Sequence, residues 1–372
     1  MPKKPKHHEI SRQLRAEIAA GKHVAASRLP SEAQLVRRFG VSRPTVARAL
    51  RDLQQDGLIE RRAGSGTYIR KTADAAPAAS TRLLGLLIPG LGTTEIFEVI
   101  CGELASLARV HDYSLLWGGS TQPRLDTDAS VEHAEELCRQ FVARKVSGVF
   151  FAPFELTPQM ERANRRLAQL LRQGGVPVVL LDRDLLPFPS RSDFDLVGMD
   201  NVAGGFMLAE HLIKLGCEHI RFVARPLSAA TVDARIAGAR EAMSRHRLEL
   251  PPKWVAYGDP GDPRFVRSLV AGRQTEAFIC ANDHTAAVLM RSLEAAGVRV
   301  PRDARVAGFD DVKYATLLSV PLTTVHQPCR DIAVIAFRAM LERIAEPTIP
   351  ARTFLMTPRL VVRESCGAYL PR

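Results

Sequence analysis

No apolar run in this chain approaches the roughly 18 residues needed to cross a membrane, although 46% of its 372 residues are hydrophobic. The apolar content therefore belongs to packed cores, and the length allows a small domain with about two further lobes. The opening residues, MPKKPKHHEI, are basic with no apolar stretch behind them, so they are not expected to act as a secretion signal. Cysteine is sparse and scattered. The six, at 101, 138, 217, 280, 329 and 366, form no CxxC pair and no metal-ligand spacing with histidine. They read as reduced core thiols of a cytoplasmic protein. No Ser/His/Asp arrangement or paired-carboxylate constellation stands out, and no glycine loop suited to phosphate follows the first strand beyond residue 80. Catalysis and metal binding are left without support, and no cofactor is expected.

What is present is a lopsided charge. Residues 1–72 carry 16 Lys+Arg against 6 Asp+Glu, a surplus of 10 within a chain whose net charge is +11. Basic charge confined to one small domain is the footprint of a nucleic-acid binder, because each phosphate contact releases condensed counterions. Inside that domain, LPSEAQLVRRFGVSRPTVARALRDLQQDGLIERRAGSGTYI (29–69) reads as a helix, a turn, a second helix and a basic hairpin. Ser31 opens the first of these helices as a capping box with Gln34. Leu35 and Phe39 share one side, and Gly40 ends it. Ser42 caps the next helix, with Pro44 in its first turn. Val46, Leu50 and Leu53 form the buried stripe, leaving Arg43, Ala47, Arg48 and Arg51 outside. Gly57 stops that helix, and LIERR and TYIR alternate around Ala63-Gly64-Ser65-Gly66. An earlier helix has Ile10, Leu14 and Ile18 at a spacing of four.

Residues 72–81, TADAAPAAST, are small and lack periodicity, and read as a linker between a domain at 1–71 and the remainder, 82–372. Beyond it buried strands alternate with helices. Strands are expected at 82–88, 113–117, 147–151 and 176–182, then at 195–199, 219–224, 254–257, 277–281 and 305–309. Helices are expected between them, at 95–110, 129–145, 158–173, 202–215, 232–246, 263–271 and 284–296. Two successive sets imply an α/β unit of two similar doubly wound parallel-sheet lobes. In such sheets ligands bind at the carboxyl ends of strands, here in the cleft between lobes. Asp200 and Asp283 are expected to cap the helices that follow them, Asp311 to hold its loop, and His211 and His219 to pack.

The front segment resembles the GntR family of bacterial repressors over about residues 8–70, through LPSE, VSRPTV and GLIERRAGSGTYI. The resemblance implies a winged helix-turn-helix with its second helix in the major groove of double-stranded DNA. Its DNA-binding set is expected to be Ser31, Gln34, Arg43, Thr45, Arg48, Arg61, Arg62, Gly64 and Gly66. Arg43, Thr45 and Arg48 would face bases and phosphates, and the wing would approach the minor groove or the backbone.

Residues 82–366 resemble the sensor domain of LacI/GalR repressors, which shares its fold with type I periplasmic binding proteins. The matching stretches are VGMDNVAGGFMLAEHLIKLGCEHIRFV (197–223), ANDHTAAVLMRSLEAAGVRVPRDARVAGFDD (281–311), PLTTVHQP (321–328) and PRLVVRES (358–365). Four polar residues fall where that family holds its effector: Asp182, Arg235, Asn282 and Asp310; for Asp182, forming its loop by pairing with Arg183 is the alternative role. Two carboxylates, an amide and a guanidinium suit the vicinal hydroxyls of a sugar, with Phe97 and Phe154 as apolar walls. A nucleoside would also fit the two phenylalanines. Together the two resemblances point to the arabinose-repressor type of regulator. They imply a homodimeric, ligand-responsive repressor that changes the spacing of its recognition helices when an effector closes the lobes. Nucleoside-responsive regulation or activation is the alternative within this class. A solute-binding protein and a pyridoxal-phosphate fusion are rivals from other classes, disfavoured by the DNA-binding front and by the absence of room for a second enzyme domain.

Overall fold

The computed structural model describes residues 29–55, 59–62, 66–69, 82–88, 95–118, 127–156, 159–273 and 275–370, with scattered helical positions between 7 and 17. The expected linker, Ile18, Gly57 and Gly64 lie outside the described residues, as do the side chains of Arg61 and Arg62. The chain divides into two compact units, Met1–Ser80 and Thr81–Arg372.

In the first unit, α1 (Glu32–Phe39) begins with the capping box read from the sequence. The Ser31 hydroxyl accepts from the Gln34 amide, and the Ser31 amide donates to Gln34 Oε1 at 2.7 Å. Gly40 ends the helix in the left-handed region at φ 58. Helix α2 (Arg43–Gln55) buries Val46, Ala49, Leu50 and Leu53 against Ile10, Leu14, Leu29, Leu35 and Ile59. Strands β1 (Ile59–Arg62) and β2 (Gly66–Ile69) pair antiparallel with Arg62 opposite Gly66. Gly66 is therefore the first residue of the return strand and not part of the turn. The Thr67 carbonyl accepts from the Leu29 amide at 2.8 Å, which ties the hairpin to the start of α1.

The second unit holds two sheets. The first lobe is built from β3 (Arg82–Leu87), α3 (Glu95–Val110), β4 (Tyr113–Trp117), α4 (Thr127–Ala143), β5 (Gly148–Phe151), α5 (Met160–Gln173), β6 (Val178–Leu181) and β7 (Asp195–Met199). Its parallel strands lie in the order β4-β3-β5-β6-β7. The second lobe follows with α6 (Asn201–Lys214), β8 (Ile220–Ala224), α7 (Ala230–Arg245), β9 (Val255–Tyr257), α8 (Pro263–Val270), β10 (Ala277–Cys280), α9 (Asp283–Ala295), β11 (Arg305–Asp310) and β12 (Thr323–His326). Its order, β9-β8-β10-β11-β12, repeats that of the first. Two lobes of one topology are what the alternating pattern predicts, but Asp195–Met199, expected to open the second set, pairs with β6 and completes the first sheet, so the lobes divide after it.

The chain then does something the pattern of alternation did not reveal. Helix α10 (Cys329–Ala345) returns to the first lobe, where Ile332, Ala336, Phe337 and Met340 enter its core. Strand β13 (Thr353–Met356) pairs with β7 there, and β14 (Arg359–Val361) goes back to pair antiparallel with β12. Fully buried Asp195 fixes this excursion by accepting from Arg343 Nη2 at 2.9 Å and from the Arg352 amide at 2.8 Å. Three chain crossings thus join the lobes, before α6, before α10 and before β14.

Candidate ligand cleft and nucleic-acid interface

Each sheet reverses its winding beside its first strand, between β3 and β5 in one lobe and between β8 and β10 in the other. Loops leaving strand carboxyl ends at such switch points are where open α/β sheets hold ligands. Here those loops face one another. The Leu156 amide donates to the Leu227 carbonyl at 2.8 Å, and Glu155 Oε2 accepts from the Ala229 amide at 3.3 Å. Glu95 Oε2, at the start of α3, accepts from the Lys313 amide of the second lobe at 3.0 Å. The lobes are closed on each other.

Beneath these contacts lies a buried charged cluster of Asp182, Arg183, Arg235 and Asp310. Arg235 Nε donates to Asn201 Oδ1 at 2.8 Å and its Nη1 to the Ala281 carbonyl at 2.6 Å. Its Nη2 stands 3.6 Å from Asp310 Oδ1, and the guanidinium lies over the Phe309 ring. Arg183 Nη1 is 2.6 Å from Glu155 Oε1, and its Nε is 3.8 Å from Asp182 Oδ2. Asp182 Oδ1 accepts from Gln327 Nε2 at 2.8 Å. Arg183 Nε, Asp310 Oδ1 and Gln327 Oε1 have no hydrogen-bond partner. One donor and two acceptors in the cluster thus lack hydrogen bonds, and leaving a buried polar group so costs about 1–3 kcal/mol. Burial pushes the Asp310 carboxyl up to about 7; Arg235 opposes this, while Asp182 and Glu155 add to it. Burial also acts on Glu155, but the Arg183 guanidinium and the Ala229 amide outweigh it and hold that carboxyl below its usual value.

Arg235 reaches this place because α6 and α7 cross with their backbones in contact. A Cβ on Gly205 would meet the Arg235 carbonyl oxygen at 2.0 Å, and one on Gly238 would meet that of Val202 at 1.9 Å. Only glycine allows that approach.

The residues named from the sequence do not all converge. Phe97 is buried in α3 with its ring beneath the Arg183 guanidinium, 5.3 Å from its centroid. Phe154 is half-buried, and the Asn164 side chain pairs with both its amide and its carbonyl, at 2.7 and 3.0 Å. Asn282 Oδ1 accepts from the Thr285 amide at 2.8 Å, so this side chain caps α9. The cap expected of Asp283 is thereby corrected. Asp283 is inside the helix and fully buried, and its carboxylate accepts from the Thr324 hydroxyl at 2.6 Å and the Val312 amide at 3.0 Å. Asp200 caps α6 through the Ala203 amide, and Asp311 pairs with Arg363 and His326. His211 packs 3.4 Å from Cys366 Sγ, whereas His219 is exposed and does not pack. Glu155 and Gln327 escaped sequence reasoning as members of the cluster, and Arg183 entered it only as a loop partner of Asp182. Arg183 adjoins Asp182, and Gln327 is next to last in the PLTTVHQP stretch, but only the fold brings them to Asp310. Among the described residues no group of His, Cys, Asp and Glu is suited to hold a metal ion, and no helix is long and apolar enough to cross a membrane.

In the first unit the start of α2 is open. The Arg43 side chain is 80% exposed, its Nε 3.2 Å from Glu32 Oε2. The Ser42 and Thr45 hydroxyls share a hydrogen bond at 2.8 Å, and Arg48 and Arg51 are exposed on the same helix. Ser31 and Gln34 are directed at each other in the capping box.

The bacterial regulatory proteins of the gntR family match residues 6–69, and the periplasmic binding protein-like domain matches residues 209–366. The arabinose metabolism transcriptional repressor of Geobacillus stearothermophilus is 25% identical to this chain over 97% of both. The HTH-type transcriptional repressor PurR of Vibrio parahaemolyticus is 29% identical, covering 77% of this chain and 81% of that one. The solved complex of the transcriptional regulator CelR with cellobiose superposes with a TM-score of 0.65 at 21% identity, covering 91% of this chain and 100% of that one. The chain is a transcriptional regulator that joins a GntR-type DNA-binding domain to a two-lobed, periplasmic-binding-protein-like α/β domain with the fold seen in LacI-family regulators.

Proposed function

We propose that the protein represses genes of sugar metabolism and leaves its operator when a small uncharged sugar occupies the cleft between the lobes. The observation that carries this reading is the buried set of Asp182, Arg183, Arg235, Asp310 and Gln327, in which one donor and two acceptors lack a hydrogen bond. Hydroxyl groups both donate and accept, so a polyol satisfies such a mixed set. The names of the arabinose repressor and of the cellobiose complex support the same class. A purine, suggested by the PurR relatives, needs a flat apolar face, and the ring of Phe97 is taken by Arg183. The protein acts in the cytoplasm as a homodimer, performs no catalysis, and reads DNA through Arg43, Thr45 and Arg48 with the wing beside them. Closure of the lobes around the sugar changes how the paired reading helices fit their half-sites. Thermal shift of the full chain with L-arabinose, D-ribose, cellobiose and guanine is the test. A ligand at about a hundred times its Kd adds about 2.7 kcal/mol of stability. A sugar that raises the midpoint should also release DNA in a gel-shift titration. A shift with guanine alone would replace the sugar reading by the purine one.

A further inference from the structure

Two leucines face each other where the lobes touch. Leu156 has φ 59 and Leu227 φ 61, both in the left-handed region that residues other than glycine avoid. Both residues are well exposed, at 39% and 45%, so burial does not hold them there. They are joined through the bond from the Leu156 amide to the Leu227 carbonyl. Strain of this kind persists where neighbouring contacts over-determine it, and it gathers at clamps and switches.

The neighbouring contact is Glu155. One carboxylate oxygen lies 2.6 Å from Arg183 Nη1 of its own lobe, and the other accepts from the Ala229 amide of the opposite lobe at 3.3 Å. Ala229 is the N-cap of the 16-residue helix α7, and it makes no side-chain cap bond of its own. The first amides of a helix lack partners and its N-terminus favours negative charge. The acceptor that this helix lacks in its own sequence comes from across the cleft. Helix α7 also carries Arg235.

We propose that Glu155 is a positioning residue of the effector cleft, a latch that caps α7 in trans and, through Arg183, ties the helix bearing Arg235 to the first lobe. Its consequence for effector binding rests on the reading of the cleft given above, whereas the latch itself rests on the contacts between lobes. Opening the cleft parts Glu155 from Ala229 and frees both leucines at once. The latch therefore sets how readily the closed form is reached, with no contact between Glu155 and the effector required.

Hydrogen exchange read by mass spectrometry on the full chain, without ligand, tests the latch. Glu155→Ala should speed exchange about five- to ten-fold in the peptide carrying Leu156 and in residues 229–234, as expected for a lost cap. The strands of both sheets should keep wild-type protection. Glu155→Gln retains an acceptor and should restore most of the protection at Ala229. Ala229→Pro removes the donor at a residue whose φ of −63 proline adopts, and its effect at Leu156 should not add to that of Glu155→Ala. Wild-type exchange at Leu156 in both single variants, or additive effects in the double variant, would overturn the latch. L-arabinose and D-ribose serve as probes of the consequence: a sugar that binds the wild type should bind Glu155→Ala about five- to ten-fold more weakly. If the wild type binds neither sugar, the sugar reading fails for these probes, and the exchange data still decide the latch.

Discussion

Asp310 sits among two arginines and two carboxylates, with one oxygen lacking a hydrogen bond. Its folded carboxyl titrates at about 7, whereas an aspartate in an unfolded chain titrates near 3.9. Across roughly pH 4 to 7 the native state therefore keeps a proton that the unfolded state has released, so stability falls as pH rises through that window. Asp310→Asn cannot titrate. Its thermal midpoint relative to wild type should climb across the window and level off above it, and parallel curves would remove Asp310 as the titrating group. Arg43 presents the opposite situation, with an exposed side chain held by one surface ion pair to Glu32. Such pairs contribute about 0–1 kcal/mol, so little holds the Arg43 side chain back from another partner. Arg43→Ala should weaken operator binding by about 1–3 kcal/mol and relax preference at one base pair, measured by anisotropy on a site selected from random DNA. Equal loss on every sequence would assign Arg43 to a phosphate. At this scale the sequence is legible to within a neighbour. Asn282 and Asp283 are both fit to cap a helix, and which one does so depends on where β10 ends, a boundary that patterns locate only to about one or two residues.

Helices α6 and α7 meet through glycine, and that contact decides where Arg235 stands. Gly205→Ala would set a Cβ 2.0 Å from the Arg235 carbonyl oxygen, and backbone cannot yield as a flexible side chain does. Forcing the helices apart should cost about 1–3 kcal/mol, read as a lower urea midpoint, and should weaken sugar binding beyond what lost stability explains. An unchanged midpoint would mean that the helices slide past each other freely. Both glycines are visible in the sequence, but their contact is not, because it is made between different helices. Strands β3 to β11 were legible because parallel strands covered on both faces read as short apolar runs, such as RLLGLL and VVLL, between helical stretches. The final excursion was not. Strand β13 is an edge whose residues alternate between exposed and half-buried, and it is fixed through Asp195, far away in the chain. A sheet edge anchored by such a distant ion pair leaves no periodic trace.

The reading surface and the cleft belong to separate compact units, each with its own core. Recognition of DNA and recognition of effector should therefore be separable by mutation, although the proposed function couples them. Arg235 is the residue on which to test this. Its Nε and Nη1 are anchored on Asn201 and Ala281, which leaves Nη2 to face Asp310. Arg235→Ala strips Asp310 of its nearest cation, and a buried charge that loses its partner typically costs 3–5 kcal/mol. Asp310 escapes most of that penalty near neutral pH by taking up a proton, since its carboxyl already titrates at about 7. The fold should survive while the effector loses a buried charged contact of about 2–5 kcal/mol. Full-length Arg235→Ala should bind the selected operator as tightly as wild type, yet stay bound at sugar concentrations that release the wild type. Anisotropy titrations with and without the sugar found by thermal shift would measure both. Release at the wild-type concentration would place the effector outside this cleft. Loss of DNA binding in a variant whose circular dichroism is intact would show that the cleft controls the reading unit even without its ligand.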